Sequence, residues 1–289
     1  MSDITPTMVK DLREKTGAGM MDCKNALAEA SGDMNGAFEI LRKKGISTAE
    51  RKAGRIAADG LIGSHLSGDA RLGVLTEVNC ETDFVTKTED FQGFVKSVTE
   101  IVKEKNPRDL DALFSTAMGS ATVKETQTGL IAKIGENLGV RRFSRVAAGP
   151  TQKLSQYIHA GSKIGVIVVF DDPSAKLDPT TAREIAMHVA AMHPQYTNRS
   201  EVPADVLAKE KEIMLAQMGD MKKPPEVMEK IVSGKIGKFF TEVCLDDQIY
   251  VRDPDGKSPV GAWLKKIDAS IRVATFVRMQ VGEGIEKKA

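Results

Sequence analysis

Charge of one sign is what this sequence most plainly lacks. Its 41 Lys and Arg are balanced by 40 Asp and Glu, leaving a formal charge of +1 over 289 residues. A chain so balanced has no overall field to draw it onto nucleic acid or an anionic lipid surface, so any partner must be read by local shape. Long apolar runs are missing too. None approaches the roughly 18 to 20 residues that span a bilayer, and the opening "MSDITPTMVKDLREK" is polar where a secretion signal would be apolar. A cytoplasmic protein with no membrane partner and no direct nucleic-acid partner is expected. Cysteine is scarce and scattered. Cys23, Cys80 and Cys244 are far apart and without C-x-x-C spacing, which indicates neither a disulfide framework nor a zinc site and leaves three small buried side chains.

Catalytic constellations are also lacking. "DPDGKSP" has Gly256, Lys257 and Ser258 but Val251 where a phosphate-binding loop needs glycine, so it reads as a surface turn. His188 and His193 are five residues apart near a helix end, a spacing that does not make a metal pair. There is no G-x-S-x-G, H-E-x-x-H or helix-opening G-x-G-x-x-G. The basic "RRFSR" at 141–145 is too short for a nucleic-acid stripe and reads as a strand edge with solvated charges. No catalytic residue, cofactor or metal ligand is expected, and the chain is not read as an enzyme.

What is present is strong helix and hairpin punctuation. Residues 1–45 read as three short helices: Thr5 caps the first with Pro6 behind it and Gly17 stops it, Met20 to Ala30 make the second, and Met34 to Leu41 the third, ended by Gly45. Residues 46–60 are charged and rich in Ala and Gly, a partly helical linker. "GLIGSHLSGDARLGVLTEVN" followed by "EDFQGFVKSVTEIV" reads as hairpin then helix, and "LSQYIHAGSKIGVIVVFD" followed by "TTAREIAMHVAAMH" repeats that order. The fold class is therefore α+β, with a core of two related subdomains built on antiparallel sheets, at 61–146 and at 147–202 with 241–284. "CLDDQIYVRD" and "IRVATFVRMQV" read as strands that return to the second sheet. Residues 203–240 carry narrow apolar stripes on two helices reversed by "GDMKKPP", which predicts an inserted, projecting antiparallel coiled-coil hairpin.

Two apolar features fit none of these periodicities. Met20 and Met21 head a short helix, where only one of two neighbours can point fully into a three-helix core; the other is left for a partner, unless both fill the core. Phe84 lies between a strand ending near Cys80 and a helix capped by Thr88. It either folds back onto the core or stands beside Asp83 as an exposed anchor, and periodicity leaves both open.

Six stretches together resemble bacterial translation elongation factor Ts: "VKDLREKTGAGMMDCKNAL" at 9–27, "AADG" at 57–60, "EVNCETDFV" at 77–85, "KIGENLGVRR" at 133–142, "IAMHVAAMHPQY" at 185–196 and "VGEGIEK" at 281–287. The resemblance implies a guanine-nucleotide exchange factor for elongation factor Tu, which it would meet in GDP-bound and nucleotide-free forms. It also implies a ubiquitin-associated-like three-helix N-terminal domain. By the same resemblance Thr82, Asp83, Phe84 and Val85 intrude beside the partner's Mg²⁺ site, Leu12, Met20 and Met21 pack on a partner helix, and Ile134, Gly135 and His159 face the partner from the core. The residues alone leave a second class open, a protein-interaction adaptor that does not exchange nucleotide.

Overall fold

The computed structural model describes residues 4–218 and 225–286. Residues 219–224, most of the predicted "GDMKKPP" reversal, lie outside them. The chain begins with α1 (Pro6–Thr16), α2 (Met20–Glu29) and α3 (Met34–Lys52). Thr5 Oγ1 accepts the Met8 N–H at 3.3 Å, Pro6 occupies the first turn where its missing N–H costs nothing, and Gly17 ends α1 at φ 65°. Val9, Leu12, Cys23, Ala26, Leu27 and Ala37 form a small core among the three helices.

The first sheet opens with β1 (Asp59–Leu66) and β2 (Leu72–Cys80), followed by α4 (Glu89–Lys105), α5 (Leu110–Ser115), the two-residue strands β3 (Ala117–Met118) and β4 (Ala121–Thr122), and α6 (Val123–Ile134). β5 (Leu138–Ala147) then pairs with β2, giving the antiparallel order β1-β2-β5. The second sheet repeats the scheme with β6 (Gln152–Ile158), β7 (Ile164–Asp171) and α7 (Pro179–Met192). α8 (Ala204–Met218), α9 (Pro225–Val243) and α10 (Val260–Ile267) intervene before β8 (Arg272–Gln280) completes the order β6-β7-β8.

Side-chain alternation explains why the central strands are buried on both faces. From β2, Val74 and Val78 join the core that contains α4, while Leu75 points the other way onto Ile167 and Val169 of β7. From β7, Val166, Val168 and Phe170 pack with Ile185 and Val189 of α7. The two sheets thus meet face to face, each with a helix on its outer side. A Cβ on Gly165 would lie 2.7 Å from Ile62 and 2.9 Å from Leu75, so the absent side chain sets how closely the sheets approach.

Several local expectations are corrected. α3 does not stop at Gly45 but runs to Lys52, because Gly45 is buried against α6, where a Cβ would lie 3.6 Å from the Ala132 methyl. The glycine permits close helix packing instead of a left-handed stop. "CLDDQIYVRD" is not a strand: Leu245–Asp247 form a single 3₁₀ turn, Gln248 is buried and donates to Glu242 O at 2.9 Å, and Tyr250 packs against Trp263 at 5.2 Å between ring centroids. Arg141 and Arg142 are not solvated charges on the edge strand β5. They reach the fully buried Glu77 at 3.1 and 2.6 Å, and Glu77 also accepts the Gly282 N–H at 2.8 Å. Burial alone would raise the Glu77 pKa, yet the bonds from Gly282, Arg142 and Arg141 outweigh it and hold the carboxyl below its ordinary value.

α8 and α9 leave and rejoin the second half at a common base, where Val202, Val206, Leu207, Phe239, Phe240, Val243 and Cys244 cluster with Tyr196. Farther out Leu215 and Val227 are exposed. His188 is buried between Gln248 Oε1 and the Val251 N–H, a packing histidine, and all three cysteines are free and buried. Among the described residues no helix is long and apolar enough to cross a membrane.

Candidate functional site

β2 ends at Cys80, and the chain must turn before α4 starts at Glu89. Val85 goes inward, 6 % exposed, and joins Phe91 and Leu138 in the core. Phe84 is 74 % exposed. Successive side chains in the 3₁₀ turn at Val85–Lys87 fan out by about 120°, so seating Val85 directs Phe84 to solvent. Its φ of −62° and ψ of −40° are ordinary, so the exposed ring is held without backbone strain.

Hydrogen bonds fix this turn locally. Thr86 Oγ1 donates to Asp83 O at 2.6 Å, Thr88 Oγ1 donates to Val85 O at 2.8 Å, and Gln92 Nε2 donates to Thr86 O at 3.0 Å. Thr88 also caps α4 by accepting the Phe91 N–H at 3.4 Å. The Lys87 ammonium sits 2.8 Å from the Asp83 carboxylate and 5.2 Å from the centre of the Phe84 ring, so a carboxylate, an ammonium and an aromatic face share one small surface.

A second turn, at the end of α6, is tied to the first. Glu136 accepts both the Thr82 N–H at 3.0 Å and the Thr82 hydroxyl at 2.7 Å, while Glu81 accepts the Asn137 N–H at 2.6 Å. The Cys80 thiol donates to Thr82 O at 3.1 Å. Burial, with the Asp59 and Glu136 carboxylates nearby, pushes that thiol up to about 12, so it remains a donor and never a thiolate at neutral pH. Gly135 caps α6 at φ 83° and its carbonyl receives the Lys52 ammonium at the end of α3.

The other predicted site residues fall around this centre in different ways. Met20 and Met21 are both exposed, at 60 % and 65 %, because Cys23, Ala26 and Leu27 already supply the inward stripe of α2. Their loop abuts the second turn: a Cβ on Gly17 would lie 3.3 Å from the Lys133 side chain. Leu12 differs from its expected place at a partner surface, being 1 % exposed in the core beneath that loop. Ile134 is half-buried against the first-sheet core. His159 is exposed, 3.0 Å from the Tyr157 hydroxyl, and opens the turn that continues through Lys163. That turn and the Phe84 turn face one groove of about 760 Å³, lined on one side by Asp83, Thr86 and Lys87 and on the other by Gly161, Ser162 and Lys163. Lys87, Glu81 and Glu136 belong to the site and carry no periodicity that would mark them. Among the described residues no cluster of His, Cys, Asp and Glu is placed to hold a metal ion.

Comparison with known proteins covers the whole of this arrangement. A family model described as elongation factor TS matches residues 81–283. Elongation factor Ts of Thioalkalivibrio sulfidiphilus is 48 % identical over 285 residues, spanning 99 % of this chain and 94 % of that protein. The protein of the same name from Nautilia profundicola is 45 % identical over 295 residues, spanning 100 % and 96 %. That of Syntrophotalea carbinolica is 47 % identical over 294 residues, spanning 99 % and 95 %. These likenesses run through the N-terminal helices, both tied turns and the two sheets, and the chain belongs to the elongation factor Ts family.

Proposed function

We propose that this protein is a guanine-nucleotide exchange factor for elongation factor Tu and that it works in the cytoplasm without a catalytic residue or cofactor of its own. The observation that carries the reading is Phe84: a large apolar ring, mostly in solvent, on a turn whose backbone and neighbours are fixed. Such a ring is prepared to enter a pocket with little ordering cost, which is what an interface anchor requires. Thr82, Asp83 and Val85 hold it, and Asp83 with Lys87 brings opposite charges to the edge of the same contact. The exposed Met20 and Met21 offer a second adaptable apolar contact above Leu12, with Gly135, His159 and the exposed part of Ile134 on the core side. In the same reading α8 and α9 form an arm inserted in the second subdomain.

The thermodynamics needs no bond making. A factor that prefers the nucleotide-free conformation of its partner weakens nucleotide binding by the same coupling free energy, about 1.4 kcal/mol for each factor of ten. Burying one phenylalanine contributes roughly 1.5 to 3 kcal/mol, enough for one to two decades if the pocket exists only when the partner's Mg²⁺ and phosphate site has opened. Phe84→Ala is therefore expected to slow stimulated GDP release from elongation factor Tu by roughly tenfold to a hundredfold, while stability changes by less than about 1 kcal/mol because the ring is exposed in the free protein. Stopped-flow release and denaturant unfolding of one variant read both quantities. Absence of stimulated release by the unaltered protein would end the proposal and leave an interaction adaptor as the better description, whereas a strongly destabilised variant with normal release per folded molecule would remove only the ring's part in it.

A further inference from the structure

We infer that Glu136, outside the Phe84 turn, is the positioning residue that aims the ring, acting through Thr82. Resting on the exchange function proposed above, this adds a residue whose carboxylate is bound within its own protein.

The argument is geometric. Thr82 is the hinge between the end of β2 and the turn that presents Phe84, and its two donors, the backbone N–H at 3.0 Å and the hydroxyl at 2.7 Å, end on the two oxygens of one carboxylate. A bidentate, charge-assisted pair of this kind fixes direction as well as distance, because both bonds must be satisfied together. The carboxylate is itself held. Gly135 before it is locked in the left-handed region with its carbonyl on Lys52, and the Asn137 N–H after it is bound by Glu81, the residue preceding Thr82. Two carboxylates therefore cross between the turns in opposite directions, each from one chain segment to a backbone N–H of the other. The crossing freezes Thr82 without touching Phe84, whose ring lies beside the Lys87 ammonium. The crossing continues the β2–β5 ladder past its last pair, Cys80 with Leu138, by side chains instead of backbone pairs, while Val85 and Phe91 anchor the core side of this connection.

Glu136→Ala should lower the maximal rate of stimulated GDP release about tenfold, with little change in the factor concentration giving half-maximal effect, since the anchor is present but aimed less often. Glu136→Gln retains one good acceptor and should recover most of that loss, and Thr82→Val, which removes only the hydroxyl donor, should lower the rate about threefold. Amide exchange at Thr82 in the free protein should quicken in Glu136→Ala, a readout independent of the partner. The deciding measurement is the double variant: in a Phe84→Ala background, Glu136→Ala should change the rate by less than about twofold, because a residue that works only through the ring has nothing left to aim. Multiplying effects in the double variant, or an unchanged Thr82 amide in Glu136→Ala, would overturn the inference while leaving the exchange function standing. Normal release by Phe84→Ala alone would likewise overturn the inference, and only the absence of stimulated release by the unaltered protein would overturn the exchange function.

Discussion

The two halves of the core solve the same connection problem in opposite ways. In the second half the chain must pass from the end of β7 to α7, as it passes from β2 to α4 in the first. There Asp172, buried, accepts the Lys176 N–H at 3.0 Å with one oxygen and the Leu177 N–H at 3.1 Å with the other, and Leu177 is driven into the core at 5 % exposure. The turn seats its one large apolar side chain and leaves only the small Pro173 and Ala175 exposed. The first half has the same strand, turn and capped helix, yet it turns the large Phe84 ring outward. The architecture is satisfied by the closed version, so the exposed ring is not a requirement of the fold.

The halves also treat a carboxyl drawn in from solvent differently. Glu77 in the first is fully paired. Asp246 in the second has one side-chain oxygen buried without a hydrogen-bond partner, and burial, with Asp247 beside it, pushes its pKa up to about 6 against the partial relief of Lys265.

Breaking the paired carboxyl should have the largest effect. Glu77→Gln removes the charge facing Arg141 and Arg142 and is expected to cost about 3 to 5 kcal/mol in urea unfolding at pH 7. The wild-type contribution is present above the ordinary value of 4.5 and fades as pH falls through the lowered folded value, so the difference between the two proteins should shrink in acid. Leu177→Ala comes next at about 2 to 5 kcal/mol, with stimulated release per folded molecule unchanged, the reverse of the profile expected for Phe84→Ala. A large release defect in Leu177→Ala would abolish the contrast between the two turns. The smallest effect belongs to Asp246. Its folded pKa of about 6 lies above the ordinary 3.8, so the folded state holds its proton longer, and stability falls as pH rises between those values and stays reduced above them. Asp246→Asn should therefore gain about 1 to 2 kcal/mol near pH 7.5 after solvent screening, with the gain vanishing below about pH 3. A pH-independent difference would show that the carboxyl is not the cause.

Local chemistry made much of this legible in advance. Thr5, Pro6 and Gly17, and Thr88 before α4, are read from the cap rules because the groups involved lie within one turn of each other. The repeated hairpin and helix are visible for the same reason. What was not legible depends on a partner far along the chain. Gly45 looks like a stop until Ala132 is seen against it, and Arg141 and Arg142 look solvated until Glu77 is found beneath them. Met20 and Met21 looked like rivals for one inward place until Cys23, Ala26 and Leu27 filled it. Phe84 could be singled out as belonging to no periodicity, yet its direction followed only from the seating of Val85. Glu136 stands in a quoted motif but has its partner 54 residues away, and no single-sequence pattern could announce that bond.

The order in which the strands pair bears on how such a chain is made. β7 is hydrogen-bonded to β6 almost at once, but its other edge waits for β8, so Ile164 meets Gln280 roughly a hundred residues later. During synthesis from the N-terminus the first sheet, closed by β5, can be complete while the second still presents the open edge of an apolar strand. A nascent or truncated chain that ends before Arg272 therefore exposes a template for strand addition. Co-translational folding of this protein is thus expected in two stages, with aggregation risk concentrated in the interval when α8, α9 and α10 are emerging.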